Sequence, residues 1–302
     1  MLNVRQTKSE LKEIFVRLYL DCIPCLLRQT LDSSRAVTDD PAVHEKMLRE
    51  VLAWCAGVDL SDSAPVIASR IHRRLRELSG VEDPYKEAKA EQNRMAIALL
   101  PELEHELEVA DDPLGLSVRL AIAGNIIDLG VKGSVEKPDV HESVRRALEC
   151  GVDGDFEAFR AAVESAESIL YLADNAGEIV FDRLLLERLP KSKVTLAVRG
   201  YPVINDVTMA DAEFCGLTEL VKVVDNGSDA PGTVLDECSA EFRKIFSNAD
   251  LIISKGQGNF ETLSDVDANI FFLFKVKCPL VAEQTGMTIG SQVLMRTSKA
   301  IG

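Results

Sequence analysis

Histidine is scarce in this chain: 4 residues in 302, His44, His72, His105 and His141, all in the first half. The second half therefore has no imidazole with which to build a zinc site of the histidine type. Basic clusters are missing too, none being longer than Arg73-Arg74, and 49 acids against 34 bases set the formal charge at −15. That balance argues against duplex nucleic acid or an anionic membrane surface as a partner. No apolar run approaches the ~20 residues of a membrane span. The opening residues, Met1 to Gln6, are polar and lack the core of a signal peptide. Internal repeats and low-complexity linkers are also absent. The 7 cysteines are odd in number and scattered, which leads to the expectation of reduced thiols in a cytoplasmic protein. With 46% apolar residues, the chain reads as globular and long enough to bury a core in one or two domains.

What is present divides in two. Residues 1 to about 166 read almost wholly as helix. The spacing predicts helices over Ser9–Leu20 and Pro24–Val37. Asp40-Pro41 starts another, with Val43, Met47, Val51 and Trp54 on one face and Gly57 as its stop. Ser63-Ala-Pro65 and Asp83-Pro84 open two more. A further helix is expected over Leu116–Ile127, with Asp139 and Asp155 as caps beyond it. From Ser168 short β-rich runs alternate with helical stretches: Ile169–Leu172, Val194–Val198, Leu220–Val224, Leu251–Ile253, Ile270–Phe274 and Gln292–Met295. This alternation predicts a three-layer α/β domain with a largely parallel sheet, 156–302, preceded by an all-helical domain, 1–155.

The run Ile169–Leu172 is too short for a helix and suits a buried strand. Ala173, Asp174, Asn175, Ala176 and Gly177 follow it, and Glu178 opens an apolar helical pattern that leaves Asp182 and Arg183 for the outer face. An acid and an amide thus stand at the carboxyl end of a strand, where open α/β sheets bind ligands. The same pair also suits a plain helix cap. Other runs end in Arg199-Gly200 with Asn205-Asp206 beyond, in Asp225-Asn226-Gly227, and in Ser254-Lys255-Gly256-Gln-Gly258-Asn259-Phe-Glu261. On one sheet edge these loops converge. Carboxylate, amide and backbone oxygen are the ligand set of a hard cation such as Mg²⁺ or Mn²⁺. Beside them Lys255, Gly256 and Gly258 offer an ammonium and an open backbone for a phosphate, although no Walker loop is present. Acid plus metal on one side and lysine plus glycine on the other suit phosphoryl chemistry.

Two other features stand apart. Asn125 and Asp128 lie one helical turn apart in an apolar stretch. They read either as caps for neighbouring backbone or as contacts that the helical part presents to the sheet edge. Cys22-Ile-Pro-Cys25 is a lone Cys-x-x-Cys. It has no second pair to argue for zinc, and a helix rather than a strand is expected before it, unlike a thioredoxin-type unit. A buried, unreactive pair is the plain alternative.

Asp174-Asn-Ala-Gly-Glu178, Asn205-Asp206-Val-Thr208, Ser254–Glu261 and Gly124-Asn-Ile-Ile-Asp128 together resemble the damage-control phosphatases, over roughly residues 20–290. Cys22-x-x-Cys25 is similar to that family's stand-alone prokaryotic branch. The resemblance implies a helical amino-terminal domain on an α/β core. It also implies a divalent metal (Mn²⁺, Mg²⁺, or else Ni²⁺ or Co²⁺) on Asp174, Asn175 and Asp206, with Lys255 on the phosphate. Those three charged residues would be catalytic. Asn125, Asp128, Glu178, Arg199, Gly256, Gly258 and Asn259 would join Lys255 around the substrate, a small phosphorylated metabolite such as a sugar phosphate or nucleotide. The signature Arg-Thr-x-Lys of another branch falls at the extreme end, Arg296 to Lys299, and receives no role. Two rivals are a methyltransferase using S-adenosylmethionine, which wants more glycine after the first strand than Gly177 alone, and a non-catalytic module that binds phosphate ligands.

Overall fold

The computed structural model describes residues 17–125, 144–145, 148–149 and 151–297. Five helices open it: α1 (Cys22–Val37), α2 (Pro41–Cys55), α3 (Ala64–Ser79), α4 (Lys86–Val109) and α5 (Pro113–Ala123). Their starts follow the sequence signals. Asp40 accepts a hydrogen bond from the Ala42 amide with Pro41 just inside α2, and α3 carries its proline in the first turn. Asp155 caps the helix Phe156–Ser165 through the Ala158 amide at 2.9 Å. One expectation changes. The described end of the first expected helix, residues 17–20, is coil and turn, so α1 begins directly at Cys22. The caps Asp128 and Asp139 lie outside the described residues.

Seven strands form one sheet in the order β1-β7-β6-β5-β2-β3-β4. They are β1 (Val152–Gly154), β2 (Ile169–Leu172), β3 (Val194–Val198), β4 (Lys222–Asp225), β5 (Leu251–Lys255), β6 (Ile270–Lys275) and β7 (Gln292–Arg296). The core pairings are parallel, with Ile169 facing Val194 on one side and Leu251 on the other. β7 runs antiparallel to β6, and β1 pairs parallel with β7. β1 is three residues of mixed polarity, with no apolar run to announce it. It joins the sheet just before the boundary placed at residue 155.

Strand β2 is buried along its length because helices cover both faces. Ile169 and Tyr171 point into one apolar cluster and Leu170 and Leu172 into the other, the period of two that a pleated strand imposes. The helix Glu178–Leu186 is buried at every position except Arg183, with Ile179, Val180, Phe181, Leu184, Leu185 and Leu186 all in the core. Each such side chain contributes roughly 1.5–3 kcal/mol. α4 and α5 share this core with the sheet, whereas α1, α2 and α3 close a separate cluster around Met47, Val51, Ile71 and Leu75. The join between α3 and the sheet edge is ionic: Arg73 Nε donates to Asp229 at 2.8 Å. Arg73 also pairs with Glu237, and Arg76 pairs with Asp229 and reaches the Pro202 carbonyl at 2.7 Å. No helix among the described residues is long and apolar enough to cross a membrane.

Candidate metal and phosphate site

Asp174 and Asn175 leave the carboxyl end of β2, and Asp206 arrives on the loop after β3. Backbone bonds lock the two segments: the Ala176 amide donates to the Asn205 carbonyl and the Val207 amide to the Asp174 carbonyl, both at 2.9 Å. Asn175 and Asp206 are bridged in antiparallel fashion between them. The turn that follows Asn175 needs Gly177 at φ 74. Its amide is received by Asn93 Oδ1 of α4 at 2.7 Å, and Asn93 Nδ2 donates to Asp211 at 3.1 Å.

A second tier of side chains orients the first. Glu178 Oε1 accepts from Lys255 Nζ at 2.7 Å, while Oε2 accepts from Asn125 Nδ2 at 2.9 Å and from Asn175 Nδ2 at 3.2 Å. With its amide protons turned to Glu178 and to Asp174 (2.7 Å), Asn175 keeps Oδ1 for an electrophile. Arg199 Nε donates to Asp206 at 2.7 Å, and its fork reaches Thr233 Oγ1 and Asn259 Oδ1. Asn259 in turn ties down the Lys255 carbonyl at 2.7 Å.

Lys255 sits elsewhere than the expected phosphate cradle. It is fully buried, and its three protons go to Glu178, to Asp182 at 2.6 Å and to the Ala121 carbonyl at 2.8 Å. Asp182 corrects the helical pattern: instead of facing outward it is 0% exposed, receiving Lys255 and the Tyr171 hydroxyl at 2.8 Å. Arg183 keeps the partly open side of this helix, and the buried Asp182 must find a buried partner, which Lys255 supplies. The two glycines also have packing reasons. A Cβ on Gly256, at φ 81, would collide with the Asp174 carboxyl, and one on Gly258 would strike the Pro231 carbonyl. Asn125 is half-buried on Glu178, and Asp128 lies outside the described residues. Sequence reasoning missed Asp182, Asn93 and Thr233, whose neighbours come from distant segments and leave no local signal.

Within the cluster four carboxylates, Asp174, Glu178, Asp182 and Asp206, face Lys255 and Arg199, with Lys277 also acting on Asp174. Lys255 answers Glu178 and Asp182, and Arg199 answers Asp206. Asp174 has Arg199 no nearer than 4.0 Å. Burial first, then Glu178 and Asp206, push its carboxyl well above the usual range. Asp182 is pushed up to about 6 by burial, with Lys255 opposing. Burial works against the Lys255 ammonium, but Asp182 and Glu178 more than offset it and raise its pKa. Buried carboxylate in excess of cation, next to an amide oxygen, is a donor set that fits a hard divalent ion. No three His, Cys, Asp or Glu side chains among the described residues converge as a ligand set, and here the third donor is an amide. A cleft of about 270 Å³ opens at the opposite, amino-terminal edge of the sheet, lined by Ser168, Lys193, Lys244 and Asn248.

The fold and this edge define a class: a doubly covered α/β protein with a buried acid-and-amide cluster at the carboxyl end of its parallel strands. The chain belongs to the damage-control phosphatase ARMT1-like family, whose domain model matches residues 18–293. It is 37% identical to a damage-control phosphatase of Archaeoglobus fulgidus, over 90% of this chain and 96% of that one. It is 35% identical to one of Pyrococcus horikoshii, over 93% and 98%. The crystal structure of a DUF89 family protein from Pyrococcus horikoshii superposes with a TM-score of 0.84 at 32% identity, covering 93% of this chain and 99% of that one.

Proposed function

We propose that the protein is a metal-dependent phosphatase that hydrolyses small phosphate monoesters: sugar phosphates, nucleotides or damaged metabolites. The observation that carries this reading is the locked pair of loops holding Asp174, Asn175 and Asp206 together at the carboxyl edge of the sheet. These three residues would hold the ion. When bound, a divalent cation neutralises phosphate charge and lowers the pKa of a coordinated water. The protein's part is preorganisation. Lys255 fixes Glu178, Glu178 turns the Asn175 amide, and Arg199 fixes the Asp206 carboxylate, so the donors need not rearrange during turnover. Attack by water is preferred to an aspartyl-phosphate. Enzymes of the aspartyl type place a second acid two residues after the first, and here that position is Ala176, whose amide is bonded to Asn205. The phosphatase names of the relatives support this reading over the methyltransferase, and the lone Gly177 after β2 spends its amide on Asn93.

The test is a phosphate-release screen over many phosphate esters with Mg²⁺, Mn²⁺, Co²⁺ and Ni²⁺, beside the metal-free protein. Release that depends on the metal and vanishes in Asp174→Asn is the expected result. Binding of phosphate esters without release under any metal would make the protein a binding module instead.

A further inference from the structure

The Cys22-Ile-Pro-Cys25 motif has no part in the chemistry above, and the structure gives it a setting that the sequence did not. α1 is a 16-residue helix starting at Cys22, so both cysteines occupy its first turn, with no acidic side chain in that turn. Residues three apart on a helix lie side by side, Cβ atoms about 5–6 Å apart. A disulfide needs Cβ atoms about 3.5–4.5 Å apart, so closing one requires this first turn to tighten by about 1–2 Å. Cys25 is exposed and Cys22 half-buried. Cys22 is within electrostatic reach of Glu261, Cys278 and Cys25. Gln257 Nε2 joins two of these neighbours, contacting Cys278 Sγ at 3.6 Å and Glu261 Oε1 at 2.7 Å. The group adjoins the metal-site edge: Gln257 follows Gly256, and Lys277 bears on both Asp174 and Glu261.

Two chemistries suit clustered thiols, a soft metal or a dithiol–disulfide couple. A tetrahedral metal needs a third and fourth ligand at bonding distance, and no three such side chains converge among the described residues. The couple needs only the two cysteines that one helical turn already sets side by side. We propose that Cys22 and Cys25 are a redox-active dithiol that exchanges with low-molecular-weight disulfides. The exposed Cys25 thiolate attacks the disulfide RS–SR, forming a Cys25–SR mixed disulfide and releasing RS⁻. The Cys22 thiolate then displaces the second RS⁻ and closes Cys22–Cys25. Two protons and two electrons leave the protein, and RS–SR is reduced to two RSH. Burial first, with Glu261 nearby, pushes the Cys22 thiol up, which suits Cys22 to the second, resolving step and leaves the first attack to the exposed Cys25.

The experiment treats the folded full-length protein with glutathione disulfide and follows intact mass, thiol titre and a peptide map. Loss of two thiols and two hydrogens, with Cys22 linked to Cys25 and reversal by a dithiol reductant, is the expected outcome. Cys22→Ser should stall as a mixed disulfide on Cys25, whereas Cys25→Ser should take up little probe. The Cys278→Ser protein should still close the bridge. A bridge to Cys278, glutathione scattered over other cysteines, or a tightly held zinc ion that blocks exchange would each overturn the proposal. The unsubstituted protein suffices for the decisive measurement, so a variant that fails to fold does not stand in its way.

Discussion

The α-carbon of Gly256 lies against the carboxyl group of Asp174, with no room between them for a Cβ. Gly256 also holds φ 81 and ψ 155, a backbone region essentially closed to other residues. Gly256→Ala is therefore expected to displace Asp174 and to strain the loop by about 1–3 kcal/mol. Metal affinity by calorimetry and phosphate release should fall together. An alanine variant with unchanged metal affinity would separate Asp174 from the ligand set.

Asp174 and Asp206 should differ in stability while agreeing in function. Asp174→Asn relieves the repulsion among Asp174, Glu178 and Asp206, so the metal-free protein should melt at a higher temperature while losing turnover. Asp206→Asn weakens the bond from Arg199 and should lose turnover without any gain in stability. Thermal melts of both metal-free variants, read beside phosphate release, check the contrast. A destabilised Asp174→Asn would mean that its charge is already compensated.

Lys255→Met is expected to behave as a stability mutant. It leaves Glu178 and Asp182 as buried carboxylates without their cation. Removing one partner of a buried pair typically costs about 3–5 kcal/mol. Denaturant titration reads this as a lowered midpoint at unchanged slope. If the lysine served only a phosphate, the midpoint would stay and only kcat/KM would fall.

Acid sensitivity should trace in part to His72. It is fully buried against the Tyr85 ring, and burial, aided by Arg76, lowers its pKa to about 4. Because the folded pKa lies below the unfolded one, its contribution is present above pH ~6.5 and lost as the pH falls to about 4. That interval corresponds to about 3 kcal/mol. His72→Gln should show a shallower loss of stability in this window. Equal slopes in the two proteins would remove His72 from the account.

Much of the sheet was legible because parallel strands buried on both faces read as short apolar runs, and β2, β3, β5 and β6 fall where those runs do. Asp174, Asn175 and Asp206 were legible for a topological reason, since consecutive strand ends meet on one edge. β1 was not, being a strand of Val152, Asp153 and Gly154 recruited by its partner β7. Asp182 was misread because helical periodicity sends a charge to solvent. Its actual partner, Lys255, is 73 residues away in the chain. Periodicity placed Arg183 correctly and carries no word about a partner that arrives from a distant strand.

The separate apolar cluster of α1, α2 and α3 has a bearing on how such a protein diversifies. Substitutions inside that cluster and substitutions in the sheet share few partners, so their effects on stability should add. The ionic seam of Arg73 and Arg76 with Asp229, and the bond from Arg76 to the Pro202 carbonyl, tie this three-helix cap to the loops after β3 and β4. Changes inside the cap's own apolar cluster can therefore accumulate as long as this handful of ionic contacts at its base is kept.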